Sequence, residues 1–136
     1  MNFDFSDDQK FLREEARKFL TAQCTTKEVR EVLDDEAMSH HAGVWQKVVE
    51  MGWLGAAIPE EYGGSGLPLS AAAAILEEIQ RSGCNGGACH AQMYIMGAIL
   101  RHGSDAQKQK YLPEIAAGKL RLQAFGVTEP GSGTDT

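Results

Sequence analysis

No run of about 20 apolar residues occurs anywhere in this 136-residue sequence, which excludes a membrane-spanning helix. The amino terminus, M-N-F-D-F-S-D-D, has neither a basic region nor an apolar run, so no signal peptide is expected. Cysteine is scarce: Cys24, Cys84 and Cys89 are an odd number at irregular spacing, without a C-x-x-C pair. That excludes a zinc ribbon and a dithiol redox motif, and it predicts three free thiols in a reducing, cytoplasmic setting. Positive charge is in deficit, with 13 Lys and Arg against 19 Asp and Glu and a net charge of −6. A general affinity for nucleic acid or for an anionic membrane is therefore not expected. There is no Gly-Lys-Ser/Thr for a P-loop, and Gly131-Ser132-Gly133 lies too close to the last residue for the helix a dinucleotide fingerprint needs. No metal site is expected either. The acids Asp34, Asp35 and Glu36 are adjacent and do not converge without a loop scaffold. His40 and His41 point apart and lack a spaced partner.

What is present is mostly helix. Ser6–Gln9 reads as a capping box, followed by an apolar stripe of Leu12, Ala16, Phe19 and Leu20, with Glu14 and Lys18 able to pair on the other face. Thr25–Glu28 repeats the cap before Val29, Val32 and Leu33. A third helix covers Val44–Met51, turns Val44, Trp45, Val48 and Val49 inward and stops at Gly52. Trp53, Leu54 and Ile58 form an apolar connector to Pro59. Glu60–Gly66 is a glycine-rich loop that reads from its composition as a mobile hinge. Leu69–Arg81 and Ala88–Arg101 are apolar over much of their circumference and are expected to be the most buried helices, packed on each other. On the second, Cys89, Met93, Met96 and Leu100 share one face. Ser104–Gln107 caps a short helix expected to end at Leu112, because Pro113 has no N–H for the ladder. The fold class is all-α: a bundle or array of about six helices.

Small, hydroxyl and acidic residues crowd together in Phe125–Thr136, F-G-V-T-E-P-G-S-G-T-D-T. Arg121–Val127 suits a strand, and Pro130 ends any ladder. Gly131 and Gly133 let backbone approach a ligand closely, and Thr128, Ser132, Thr134 and Thr136 can both donate and accept. Such a turn can cradle a phosphate or a polar heterocycle; it can equally be an ordinary polar loop after a strand.

The segment V-T-E-P-G-S-G-T-D resembles the T-E-P-x-x-G-S-D signature of the acyl-CoA dehydrogenase family. The resemblance extends along the chain. Phe3–Phe19 resembles the family's opening helix, I-P-E-E-Y-G-G-S-G its I-P-E-x-Y-G-G-x-G loop, and G-S-D-A-Q-K-Q-K-Y-L-P its G-x-x-x-Q-K-x-x-Y-L-P segment. Thr134 stands where Ser is usual and keeps the hydroxyl. Phe125 stands where many members carry Tyr and loses the phenol. The resemblance implies a helical domain over residues 1–119, with an ordered Glu60–Gly66 turn, and the first strand and flavin loop of a middle β-domain over residues 120–136.

It also implies FAD as cofactor and α,β-dehydrogenation of an acyl-CoA thioester. In that reaction a carboxylate removes the α-proton while the β-hydrogen leaves as hydride to flavin N5. The family's base lies in a later helical domain, so no catalytic residue is assigned here. Phe125, Val127 and Thr128 would lie against the flavin ring, Gly133 and Thr134 near the pyrophosphate, and Thr134 also near CoA. His90, Met93 and Tyr94 would form part of the acyl-pocket wall; His90 reads equally as a core histidine bonded to a backbone carbonyl. With an acidic surface, CoA binding would need local basic residues. The implied partners are an acyl-CoA, an electron-transfer flavoprotein as acceptor, and further copies in a homo-oligomer. A related flavoenzyme of the same fold, such as a nitroalkane oxidase or a flavin monooxygenase, remains an alternative, as does a non-enzymatic helical module.

Overall fold

The computed structural model describes residues 4–124, 126 and 128–133. Six α-helices follow one another: α1 Asp7–Gln23, α2 Thr26–Asp34, α3 Ala42–Glu50, α4 Leu69–Arg81, α5 Gly87–His102 and α6 Asp105–Ala116. Two 3-10 turns, Trp53–Gly55 and Glu60–Tyr62, lie between α3 and α4.

The caps form as their sequences dictate. Ser6 with Gln9, Thr25 with Glu28, and Ser104 with Gln107 each make both halves of a capping box. His41 caps α3, its Nδ1 accepting from the Val44 N–H at 3.1 Å, with its Nε2 lying 3.4 Å from Glu31. On α1, Lys18 pairs with Glu15 at 2.7 Å instead of with Glu14. Leu33 is 74% exposed and does not join the inward face of α2, which ends one residue later.

Two apolar clusters build the core. The first joins Ala16 and Leu20 of α1 to Val48 of α3, Trp53 and Leu54 of the connector, and Ile75 and Ile79 of α4. Phe19 meets Trp53 edge-on, 5.2 Å between centroids. The second gathers Ile58, Tyr62, Ala72, Met93, Met96, Leu112 and Ile115, with Leu120 and Leu122 against its side.

The Glu60–Gly66 segment is an ordered turn. Gly64, Ser65, Gly66 and Leu67 donate to Pro59, Gly55, Ile58 and Ala56 at 3.2, 3.0, 2.8 and 2.8 Å. Gly64 is required there, since a Cβ would stand 2.1 Å from the Ile58 carbonyl oxygen.

Three further expectations are corrected. The main partner of α4 is α1, with a smaller contact to α5. The reason is polar as well as apolar: Glu78 of α4, 2% exposed, takes hydrogen bonds from Arg13 and Arg17 of α1. Second, α6 runs through Pro113 to Ala116. Proline forfeits one ladder bond, but Ala117 N–H reaches the Pro113 carbonyl at 3.0 Å, and burial of Leu112 and Ile115 holds the last turn down. Third, Cys24 and Cys84 form a disulfide across a separation of 60 residues, leaving Cys89 as a buried free thiol. Packing of α1 on α4 brings the end of one helix beside the turn that follows the other, a proximity that spacing along the chain does not reveal.

After α6 the chain leaves as an extended segment. Among the described residues Arg121–Ala124 forms no ladder, because a strand needs a neighbour and no other strand is described. Glu129 and Ser132 make an isolated antiparallel bridge around Pro130 and Gly131.

Candidate functional site

Helix α5 carries the residues of interest. His90 is exposed and Tyr94, one turn on, is half-buried; their rings meet edge-on with 5.2 Å between centroids. His90 is thus not a core histidine. Met93 does not join them. It is buried in the second cluster beside Met96, where a flexible thioether fills space between α5 and α6. Gly97 falls a further turn along from Tyr94, and a Cβ there would meet nothing within 4 Å.

Gln92 escaped sequence reasoning. It is 0% exposed, and its side-chain amide bridges two backbone groups of the departing chain. Nε2 donates to the Leu120 carbonyl at 2.6 Å, and the Leu122 N–H donates to Oε1 at 3.1 Å. The available signal was an amide placed between the apolar Ala91 and Met93. Arg121, between the two leucines, turns the other way and lies over the Trp45 ring, 5.3 Å from its centroid.

Beyond this anchor Thr128 is exposed. Added Cβ atoms at Gly126, Gly131 or Gly133 would meet nothing within 4 Å, so this turn presents open backbone on its surface. Phe125, Val127 and Thr134 lie outside the described residues.

A separate cleft of about 440 Å³ opens between α2, α3 and the start of α5, lined by Val29, His41, Trp45 and Cys89 among others. Burial pushes the Cys89 thiol up to about 11, so it stays protonated near neutrality and is a poor nucleophile. Among the described residues no three His, Cys, Asp or Glu side chains converge on a metal position.

The family model for the acyl-CoA dehydrogenase N-terminal domain matches residues 6–119. The chain belongs to the acyl-CoA dehydrogenase family. A probable acyl-CoA dehydrogenase of Bacillus subtilis is 35% identical over 97% of this chain and 22% of its own length. Glutaryl-CoA dehydrogenase of Desulfococcus multivorans is 33% identical over 99% of this chain and 35% of its own. Among solved structures, an acyl-CoA dehydrogenase from Bacillus anthracis complexed with FAD superposes with a TM-score of 0.71 at 33% identity, covering 97% of this chain and 22% of that one. The chain therefore spans between about a fifth and a third of the length of these acyl-CoA dehydrogenases. The helical span matched by the family model contains His90, Met93, Tyr94 and Gln92, and the glycine turn at 126–133 follows it.

Proposed function

We propose that this chain is the amino-terminal part of an FAD-dependent acyl-CoA dehydrogenase, with residues 1–119 as its helical domain and 120–136 as the first strand and flavin loop of a middle β-domain. The observation that carries the reading is that one helix serves both halves of the site. Helix α5 carries the exposed His90 edge-on to the half-buried Tyr94, and its Gln92 holds the chain that leads to the glycine turn.

The described part of that turn fits the edge of a flavin. Thr128 offers an exposed hydroxyl that can donate to or accept from a polar ring edge, and Gly133 leaves open backbone against which a phosphate can rest. Phe125, Val127 and Thr134 complete the proposed cofactor contacts, with Thr134 also near CoA. His90, Met93 and Tyr94 are the proposed acyl wall: the two rings line it, and Met93 supports it from the core. When bound, FAD supplies the two-electron acceptor for the β-hydride. The chain's own contribution is to bind and orient, since no carboxylate here is assigned to remove the α-proton.

Acyl-CoA as substrate, an electron-transfer flavoprotein as acceptor and assembly into a homo-oligomer belong to the same proposal. A solved structure described as an electron transferring flavoprotein of Acidaminococcus fermentans superposes with a TM-score of 0.76 at 32% identity, which supports a shared electron-transfer context. A cytoplasmic location belongs to the same proposal, in which Cys24 and Cys84 are held reduced in the cell and close to the disulfide only in oxidising surroundings. Acid-quenched thiol counting on protein taken from cells decides: three thiols support the location, and one overturns it.

The functional test assays the product of the complete reading frame with a panel of acyl-CoA thioesters and an artificial electron acceptor. Enoyl-CoA formation with bound FAD is expected. A flavin-free, inactive product of that frame overturns the reading in favour of a helical interaction module.

A further inference from the structure

We infer that Gln92 is a positioning residue, one that sets the register of the chain entering the glycine turn and through it the geometry of the flavin loop; this rests on the functional reading above. An extended segment presents the C=O of one residue and the N–H of the residue two further on along the same edge. Those are the two groups Gln92 takes, at Leu120 and Leu122. A single buried side-chain amide, donor and acceptor together, thus stands in for a neighbouring strand.

The alternation around it agrees. Leu120 and Leu122 pack against the second cluster, while Arg121 faces outward over Trp45 of α3. A slip of one residue would put a leucine outward, bury Arg121 and break both amide bonds. The register therefore has three supports, and the amide is the only one that is directional. Gln92 and Glu78 are the buried polar or charged side chains among the described residues. Glu78 is taken up by arginines between two helices, whereas Gln92 holds a segment that has no helix or strand of its own. Thr128 stands six positions after Leu122 in the sequence.

The experiment uses Gln92→Met, which keeps the volume and removes both hydrogen bonds, and Gln92→Glu. In the 136-residue chain, amide exchange at Leu122 should speed up about tenfold in Gln92→Met relative to the parent, the size expected for one lost buried hydrogen bond. Gln92→Glu adds a readout that a loss of packing would not move. Its carboxylate accepts from Leu122 but repels the Leu120 carbonyl. Its protonated form donates again, so protection relative to the parent should recover as pH falls. In the FAD-loaded product of the complete reading frame, Gln92→Met should raise the FAD dissociation constant about tenfold at a temperature where both proteins are fully folded. Parent-like exchange at Leu122 in both variants, or a parent-like FAD constant in Gln92→Met, overturns the inference and leaves the functional reading standing. A parent protein that binds no FAD overturns the functional reading itself, and the positioning role with it. Should Gln92→Met fail to fold, Gln92→Glu decides: a pH-independent FAD constant equal to the parent's overturns the role.

Discussion

Glu78 is the residue whose surroundings depart furthest from its sequence context. In L-S-A-A-A-A-I-L-E-E-I-Q-R it looks like one of two surface acids, yet it is buried while Glu77 beside it is exposed. Arg13 reaches it through Nε at 3.0 Å and Nη2 at 2.9 Å, and Arg17 through Nε at 3.0 Å and Nη2 at 2.9 Å. Hydrogen bonds from Arg17 first, then from Arg13, hold the carboxyl below its ordinary range against the opposing push of burial. A folded-state pKa below the unfolded value means a contribution that is complete above the unfolded pKa, near 4.3, and lost as pH falls through the folded value. Glu78→Gln should therefore destabilise the fold by about 1–3 kcal/mol near neutrality, because the guanidinium groups lose their charged acceptor. The gap between the two proteins should narrow as pH falls below the unfolded value and close only once pH lies below the lowered folded-state pKa, where the parent carboxyl is neutral too. Urea unfolding at neutral and acid pH measures both gaps, and a gap that persists unchanged into acid would show that shape, not charge, holds this position. Gln92 was illegible for the same reason as Glu78: a polar residue inside a helix announces neither burial nor the partner that makes burial tolerable.

Elements were readable where their causes are local. Ser6, Thr25 and Ser104 each sit three residues before Gln or Glu, and each starts a helix with a complete capping box. The bounds of Leu69–Arg81 follow from Pro68 before it and Ser82-Gly83 after it. Pro113 misled because its local cost was weighed without the burial of Ile115, which no neighbour in sequence discloses. Of the residues proposed for the acyl wall, Met93 points inward, a placement that depends on α6 packing beneath it and that spacing along α5 does not disclose. Cys24 and Cys84 belong with these non-local facts, since they report how two helices end side by side. The disulfide pins the α1 end to the α4–α5 turn, and for a separation of 60 residues the chain-entropy description gives about 4 kcal/mol. In oxidised protein, a nonreducing peptide map should show the Cys24 and Cys84 peptides joined, with Cys89 alkylated only after unfolding. Reduction should lower Tm by on the order of 10 °C. An oxidised sample with three alkylatable thiols would rule the bridge out.

At the scale of the whole molecule, the helices close a core of their own, whereas the described residues beyond Leu122, in the segment proposed to hold the flavin, lie outside both apolar clusters. The six helices bury two apolar clusters and leave no described buried side-chain polar atom without a partner. Among its described residues the segment beyond Leu122 carries a two-residue bridge at Glu129 and Ser132 and belongs to no helix or named strand. Thr128 is exposed. Binding FAD to such a loop must meet the cost of ordering it, about 1–2 kcal/mol for each backbone residue fixed, before any contact contributes. The 136-residue chain alone should therefore show no stoichiometric quenching of flavin fluorescence at micromolar FAD. The product of the complete reading frame should bind FAD tightly, and Thr128→Val in that protein should weaken binding or slow turnover by about 1–3 kcal/mol, because it removes a hydroxyl at nearly constant volume and leaves a polar ring edge without its partner. Titrating FAD into the three proteins separates the possibilities. Tight one-to-one binding by the short chain would mean that the helices and the Gln92-anchored segment already hold most of the cofactor's contacts. Unchanged affinity and rate in Thr128→Val would take this residue out of the flavin's surroundings and leave the glycine turn as the part of the motif that matters.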